Sequence, residues 1–242
     1  MDWSGTGYIL SVKKHGETSA IIEIFNRERG RHLGLVRGGI SRKLRPTLQA
    51  GNQVQVEWRA RLSEHLGTFT IEPLAFRAAE LMDDRLSLAA LNALCAIARE
   101  TLPEREGFAL VYDAFEILLA NLDNPDIWPA LFVQWESGLL TAMGYGLDLS
   151  NCAATGGNDN LIYVSPRSGR AVSASAGEPY RDKMFALPAF MIGGRFITKD
   201  DIAAGLRLTG YFLETRVQWG VNRTLPDARA QMISRLTDAG YA

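Results

Sequence analysis

Runs of alternating apolar and polar residues fill the first third of the chain. In the clearest run, Gln53–Arg59, the apolar residues Val54, Val56 and Trp58 alternate with polar neighbours. A period of two residues is typical of a half-buried β-strand. Comparable runs occupy residues 8–13, 20–25, 31–37 and 68–74. These five short strands predict a five-stranded Greek-key barrel of the OB type over residues 1–78, with an SH3-like barrel as the alternative that the pattern leaves open.

The pattern changes from period two to helical spacing after Pro73. Apolar residues then recur every three or four positions in residues 91–102, 108–122 and 131–143, and Pro103 and Gly144 end the first and the third of these helices. Two further helices are predicted over residues 199–218, where Thr198 can cap the first turn, and over residues 226–239. Residues 150–180 form an irregular insertion with short strands near residues 161–164 and 171–172. The fold class is therefore α+β and multidomain, with the barrel followed by an α-helical domain over residues 79–242.

Positive charge is concentrated in the barrel region, although the whole chain has a net charge of −1. Residues 1–80 contain 12 Lys and Arg against 8 Asp and Glu, and no acidic residue lies between Arg29 and Glu57. The stretch GRHLGLVRGGISRKLRP, residues 30–46, passes from a strand into a glycine-punctuated basic loop. A basic loop on a small barrel suits binding to a phosphate backbone, whereas a solvated turn is the alternative reading.

Eight cations are the candidate DNA-binding residues, because a barrel that gathers them would neutralise phosphates without reading bases. They are Lys13, Lys14, Arg29, Arg31, Arg37, Arg42, Lys43 and Arg45. Three aromatic residues are candidates for base stacking. The alternation of Trp58 and Phe69 with aliphatic residues favours barrel core for both, whereas the pattern does not decide between core and stacking for Tyr8.

The sequence lacks the common catalytic and cofactor-binding motifs. The sequence contains no GxxxxGK[ST], GxGxxG or GxSxG pattern. The three histidines, His15, His32 and His65, are not paired at metal-ligand spacing, and adjacent carboxylates such as Asp83 and Asp84 point in different directions on a helix. We therefore expect no enzymatic activity, no cofactor and no metal. The absence of an apolar leader or of a long uncharged run favours the cytoplasm over a membrane.

Residues 7–58 resemble the N-terminal OB domain of the RecO family of bacterial recombination proteins. The resemblance is carried by a GET-S turn, an RERG hairpin, a VRGG strand end and the basic loop. It continues through LLTAMGYGLDLSNC, residues 139–152, and VSPRSGRAV, residues 164–172. The family fold is an OB domain followed by a helical domain, which agrees with the pattern above.

The resemblance implies a function in DNA repair and recombination. It implies binding of single- and double-stranded DNA, annealing of complementary strands, and loading of RecA onto strands covered by single-stranded-DNA-binding protein (SSB). It also implies RecR and the acidic C-terminal tail of SSB as partners, and association with the nucleoid. Arg181 and Lys183, beside Tyr180, Met184 and Phe185, are candidates for the pocket that takes the SSB tail. The alternatives are a protein-binding scaffold and a nuclease, which would need carboxylates that converge.

The chain departs from the family at a zinc site. Many members of the family carry two CxxC pairs in the insertion, whereas this chain has Cys152, Thr155, Ser173 and Ala176 at those positions. A structural zinc ion takes four nitrogen or sulfur ligands, which these residues do not supply. We expect hydrogen bonds or apolar packing to hold the insertion instead.

Overall fold

The computed structural model describes residues 1–62, 64–218 and 224–242. The chain divides into two compact units. The first consists of Met1–Asp123 with Pro226–Met232, and the second of Asn124–Leu225 with Ile233–Ala242. The predicted α+β class is confirmed. None of the described helices is long and apolar enough to cross a membrane.

A five-stranded barrel begins the first unit, as the alternating runs predict. Its strands are β1 (Asp2–His15), β2 (Ser19–Asn26), β3 (Gly30–Val36), β4 (Gln53–Arg59) and β5 (Thr68–Ala75). The strand order is β1-β2-β3-β5-β4, and β4 pairs again with β1, so the sheet closes on itself. The long β1 pairs with β4 through its first half and with β2 through its second. This order is that of the OB barrel, and not of the SH3-like alternative.

Aliphatic side chains from alternate strand positions fill the barrel. Ile22, Ile24, Val54 and Val56 are fully buried, and the predicted inward face of β4 is confirmed. In β3 the inward residues are His32, Gly34 and Val36, while the two leucines between them are half-buried. Gly34 is needed because a side chain there would meet the ring of Phe69.

Three helices follow the barrel along the chain in the first unit. They are α1 (Arg77–Glu80), α2 (Arg85–Thr101) and α3 (Ala109–Ala120). Asp84 caps α2 by accepting hydrogen bonds from the backbone N–H groups of Leu86 and Ser87, which satisfies donors that a helix start leaves open. Aromatic residues of α3 pack on the outside of the barrel, where the ring of Tyr112 lies 5.2 Å from that of Phe25.

The second unit contains helices and a small sheet. The helices are α4 (Trp128–Ala142), α5 (Ala174–Gly177) and α6 (Lys199–Phe212), and α6 continues as π-helical turns over Leu213–Gln218. A capping box joins Thr198 and Asp201 at the start of α6, as the sequence predicts for Thr198. The sheet has the order β7 (Ala171–Ser173), β6 (Leu161–Val164), β8 (Phe185–Ala186). The last helix of the chain is α7 (Asp227–Asp238).

Helices α4 and α6 pack closely because small and apolar side chains face each other. A side chain at Gly205 of α6 would lie 2.8 Å from Val133 of α4. The hydroxyl of Thr209 in α6 donates a hydrogen bond to the carboxylate of Glu136 in α4, and both residues are fully buried. A buried carboxylate is tolerated where it accepts such bonds.

Candidate nucleic-acid interface

Consecutive backbone turns give the basic loop a defined shape. We use the name basic loop for residues 37–45, which follow β3. The N–H of Ser41 bonds to the carbonyl of Gly38 at 2.9 Å, and that of Arg45 to the carbonyl of Ser41 at 3.0 Å. The side chain of Leu44 packs against the barrel core, and Leu48, just beyond the loop, is buried. The loop is therefore anchored to the barrel from within.

The anchoring leucine leaves the cations on either side of it in solvent. Arg42, Lys43 and Arg45 are exposed, and so is Arg37 at the start of the loop. Within the described ranges, none of these four forms an ion pair with a carboxylate. Their charge is thus available to an anionic ligand.

The turn between β1 and β2 lies beside the basic loop. The N–H of Ile40 bonds to the carbonyl of Thr18 at 3.3 Å, and Ala20 at the start of β2 pairs with Val36 at the end of β3. Lys13 and Lys14 lie near the end of β1, just before this turn, and both are exposed. Six of the eight candidate cations therefore lie in one region of the barrel. We call this region the basic edge, and it consists of Lys13, Lys14, Arg37, Arg42, Lys43 and Arg45.

The other two candidates lie elsewhere, because β2 and β3 form a hairpin whose loop is at the far end. β2 is eight residues long, which at about 3.3 Å per residue separates its ends by roughly 23 Å. Arg29 is exposed in that far loop. Arg31 is used within the fold: its Nε donates to the carbonyl of Leu102 at 2.8 Å, and its guanidinium pairs with Glu23. Only 18% of the Arg31 side chain is exposed, so we leave it out of the interface that we propose.

A groove of about 460 Å³ continues the basic edge across the barrel surface. It runs where β3 and β5 pair in parallel at Leu35 and Thr68. Arg37 and Leu44 line one part of it, and Arg59, at the end of β4, lines another. Arg59 is not among the eight candidate cations. Its position at the end of an alternating run, on the outward face, is the signal that points to it.

The aromatic candidates fall mainly in the core. Trp58 and Phe69 are buried, as the alternation favours. Tyr8, which the alternating pattern leaves undecided between core and stacking, is buried: it is 4% exposed and donates a hydrogen bond to Glu116 of α3 at 2.7 Å. Burial, together with this bond to a carboxylate, raises the pKa of Tyr8. Tyr8 therefore joins α3 to the barrel and presents no face for stacking.

The insertion holds together through hydrogen bonds at the positions where the family carries zinc ligands. The Cys152 thiol lies 3.4 Å from the Ser173 hydroxyl and accepts a bond from the Ser173 N–H at 3.3 Å. One thiol, two hydroxyls and the methyl group of Ala176 do not fit the donor set of a structural zinc ion. Among the described residues there is no group of three or more His, Cys, Asp or Glu side chains suited to a metal.

The candidate residues for the SSB tail lie in the second unit, in the 3-10 turn Glu178–Lys183 and just after it. Tyr180 is exposed, and the Arg181 guanidinium is paired with Glu178 at 3.3 Å. Phe185 packs against Tyr211, with ring centroids 4.9 Å apart. A basic and aromatic surface is thus present, but part of its charge is already paired.

A five-stranded barrel of this strand order defines the class of OB-fold proteins. Comparison with known proteins narrows the class. The family model described as "Recombination protein O N terminal" matches residues 1–76, and "Recombination protein O C terminal" matches residues 82–224. The chain belongs to the RecO family.

Relatives of this family match the chain over nearly its full length. "DNA repair protein RecO" of Phenylobacterium zucineum is 48% identical over 241 residues, which are 99% of each chain. The protein of the same name in Caulobacter vibrioides is 47% identical over 99% of each chain. That of Cereibacter sphaeroides is 47% identical over 99% of this chain and 100% of its own.

Proposed function

We propose that this chain is a DNA-binding protein of DNA repair that holds single- and double-stranded DNA along the basic edge. The observation that carries the proposal is the grouping of six exposed cations on an anchored loop and near the adjoining end of β1, with no acidic partner among the described residues. Membership of the RecO family and the name of the relatives, DNA repair protein RecO, support it. Such contacts give affinity without base selection, because every phosphate carries the same charge.

Strand annealing follows from the same electrostatics. Two complementary strands repel each other, and a surface that neutralises phosphates lowers this repulsion while leaving the bases free to pair. The family resemblance further suggests that the chain acts with RecR to load RecA onto SSB-coated strands, and that its second unit binds the SSB tail. Arg181, Lys183 and the aromatic residues around them are the surface that we propose for the tail.

The salt dependence of DNA binding tests the basic edge. A triple variant, Arg42→Ala, Lys43→Ala and Arg45→Ala, removes three phosphate contacts. Each contact contributes about 0.7 to the slope of log affinity against log salt for single strands, so the slope should flatten by about 2. Fluorescence anisotropy with a labelled dT oligonucleotide measures it.

A matched control removes three exposed cations from the second unit, by Arg167→Ala, Lys199→Ala and Arg207→Ala. This control has the same net charge as the test variant and should keep the wild-type slope. If both triple variants flatten the slope equally, the effect is one of net charge and the basic edge is not the site. If neither does, the loop does not contact DNA.

Annealing of complementary oligonucleotides coated with SSB separates the proposed activity from a scaffold function. The test variant should anneal more slowly than the control at the same protein concentration. A variant that anneals normally but no longer binds RecR would instead identify the loop as a protein-binding surface.

A further inference from the structure

A second cavity lies at the other end of β3 from the basic loop, where β1 and β3 begin. Its volume is about 470 Å³, within the range of small-ligand sites. Trp3 of β1 and Trp58 of β4 are paired across the two strands, and His32 of β3 completes an aromatic wall. Arg29 and Arg105 also line the cavity. We call it the tryptophan pocket.

The rings of the pocket are fixed by one another and by the backbone. The two indoles are nearly parallel, with centroids 6.3 Å apart, and the His32 ring meets the Trp58 ring edge-on at 4.8 Å. The Trp58 indole N–H donates to the carbonyl of Leu66 at 3.0 Å. Trp58 and His32 are almost wholly buried, so the half-buried Trp3 is the ring of this wall that a flat ligand would meet first.

Polar groups of this wall lack partners within the described part of the chain. Both ring nitrogens of His32 are buried without a hydrogen bond, and so is the indole N–H of Trp3. Buried polar atoms are nearly always paired in folded proteins, so unpaired ones in residues that line a cavity point to a ligand that reaches them by a small shift of the rings and supplies the missing bonds. His32 is only 5% exposed, which makes it a built feature of the pocket and not a surface side chain.

The chemistry of these groups distinguishes between ligands. Burial lowers the pKa of His32 to about 4, so the ring is neutral and offers one donor and one acceptor. A base edge offers donors and acceptors together, whereas a carboxylate only accepts. Asp2, which also lines the pocket, supplies a further acceptor for a base edge, while its charge would repel a phosphate and a carboxylate alike. Arg29 is exposed at the rim and can hold a phosphate; Arg105 is already paired with Glu104.

We propose that the tryptophan pocket takes one unstacked base of single-stranded DNA, held by stacking on Trp3 and by hydrogen bonds from His32. This inference rests on the proposed DNA binding and adds a second subsite to it. A base inside a duplex cannot enter, so the pocket gives the protein a preference for single strands that the basic edge alone does not provide.

Abasic oligonucleotides test the proposal with phosphate number held constant. Wild-type protein should bind a dT 12-mer about 10-fold more tightly than a 12-mer of abasic sites, since stacking of one base contributes about that factor. Trp3→Leu keeps an apolar side chain but removes the stacking surface, and this variant should bind both strands equally. His32→Phe keeps a ring and should retain part of the discrimination. Tyr145→Leu, which changes an exposed aromatic residue of the second unit, is the matched control and should discriminate as wild type does.

Crosslinking of the wild-type protein avoids any dependence on how variants fold. A 12-mer with 5-iododeoxyuridine at each position, irradiated in complex, should attach to Trp3, Trp58 or His32 in peptides identified by mass spectrometry. Crosslinks confined to the basic loop, or equal binding of normal and abasic strands, would overturn the proposal while leaving the salt slope of the basic edge intact. Binding of an acidic peptide that blocks the pocket, without any crosslink to DNA there, would also overturn it.

Discussion

The buried imidazole of His32 should make the first unit sensitive to acid. The ring is 5% exposed and lies between aromatic neighbours, with the Trp3 ring centroid 5.2 Å and the Trp58 centroid 4.8 Å away. Burial lowers its pKa to about 4, and the charges of Arg105 and Arg29 act in the same direction. The folded state therefore resists protonation of this ring.

The size of the effect follows from the difference between the folded and unfolded pKa. In the unfolded chain the imidazole has a pKa of about 6.5, so the unfolded state binds the proton first as the pH falls. The stabilisation is fully present above about pH 6.5 and is lost as the pH falls from there towards 4. Between about pH 7.5 and about pH 5, this one group lowers the free energy of unfolding by about 2 kcal/mol.

Urea unfolding at the two pH values, followed by tryptophan fluorescence, measures this loss in the wild type and in His32→Phe. The phenyl ring keeps the packing and cannot be protonated, so the variant should lose about 2 kcal/mol less than the wild type. His15→Phe, at an exposed position, should behave as the wild type does. Equal acid losses in the wild type and His32→Phe, or an NMR titration of the His32 ring centred near pH 6.5, would refute this reasoning.

Three further changes test other parts of the structure. Leu44→Ala should loosen the basic loop and weaken single-strand binding by about 5- to 10-fold, because a mobile loop loses conformational entropy when it binds DNA. The slope of log affinity against log salt should not change, because the cations remain. Three new thiols beside Cys152 should create a zinc site. Two sulfurs that each lie about 2.3 Å from a tetrahedral zinc ion are roughly 3.8 Å apart. The Cys152 sulfur already lies 3.4 Å from the Ser173 hydroxyl oxygen, which is close to that separation. These three changes are Thr155→Cys, Ser173→Cys and Ala176→Cys. Thr209→Val should lower the stability of the second unit by about 2 to 3 kcal/mol in thermal unfolding, because it removes a donor from the buried carboxylate of Glu136.

The outcomes that contradict these three expectations are specific. Leu62→Ala, at an exposed site outside the basic loop, is the control for the first change, and equal affinities in both variants would show that Leu44 does not anchor the loop. A triple-cysteine variant that binds no zinc by mass spectrometry would mean that the insertion does not keep the family's ligand geometry. Unchanged stability of Thr209→Val would show that Glu136 is satisfied without this hydroxyl.

The barrel could be predicted from the sequence because each strand has an inward apolar face, and the alternation of apolar and polar residues identifies that face. The start of β1 was missed. Its first residues, Asp2–Thr6, contain one apolar side chain, Trp3, and they form a strand because β4 pairs with them. The environment of Tyr8 could not be predicted for a related reason. Alternation shows which residues face the barrel interior, but it does not show that α3 covers the outside at this point.

The candidate site was predicted in part. The cations of the basic loop are adjacent in sequence and remain together in the structure. Arg29 and Arg31 are also close to them in sequence, but they lie at the loop of the β2–β3 hairpin, whereas the basic loop follows its open end. Neighbouring residues alone do not reveal that the length of the hairpin separates the two groups. The pairing of Arg31 with Glu23 is likewise a contact between strands that charge counting does not reveal. The positions of Arg59 and of the wall formed by Trp3 and His32 follow from closure of the barrel, which brings strands together that are distant in sequence.

The two leucines that hold the basic loop have a kinetic consequence. Since the turns are already formed in the free protein, a polyanion can dock and depart without any segment folding or unfolding. Residence on the loop then depends on ionic competition alone, so that a rival strand or another acidic molecule can replace the first one rapidly. A surface with such rapid exchange is suited to transferring a bound strand to another molecule, and poorly suited to retaining it.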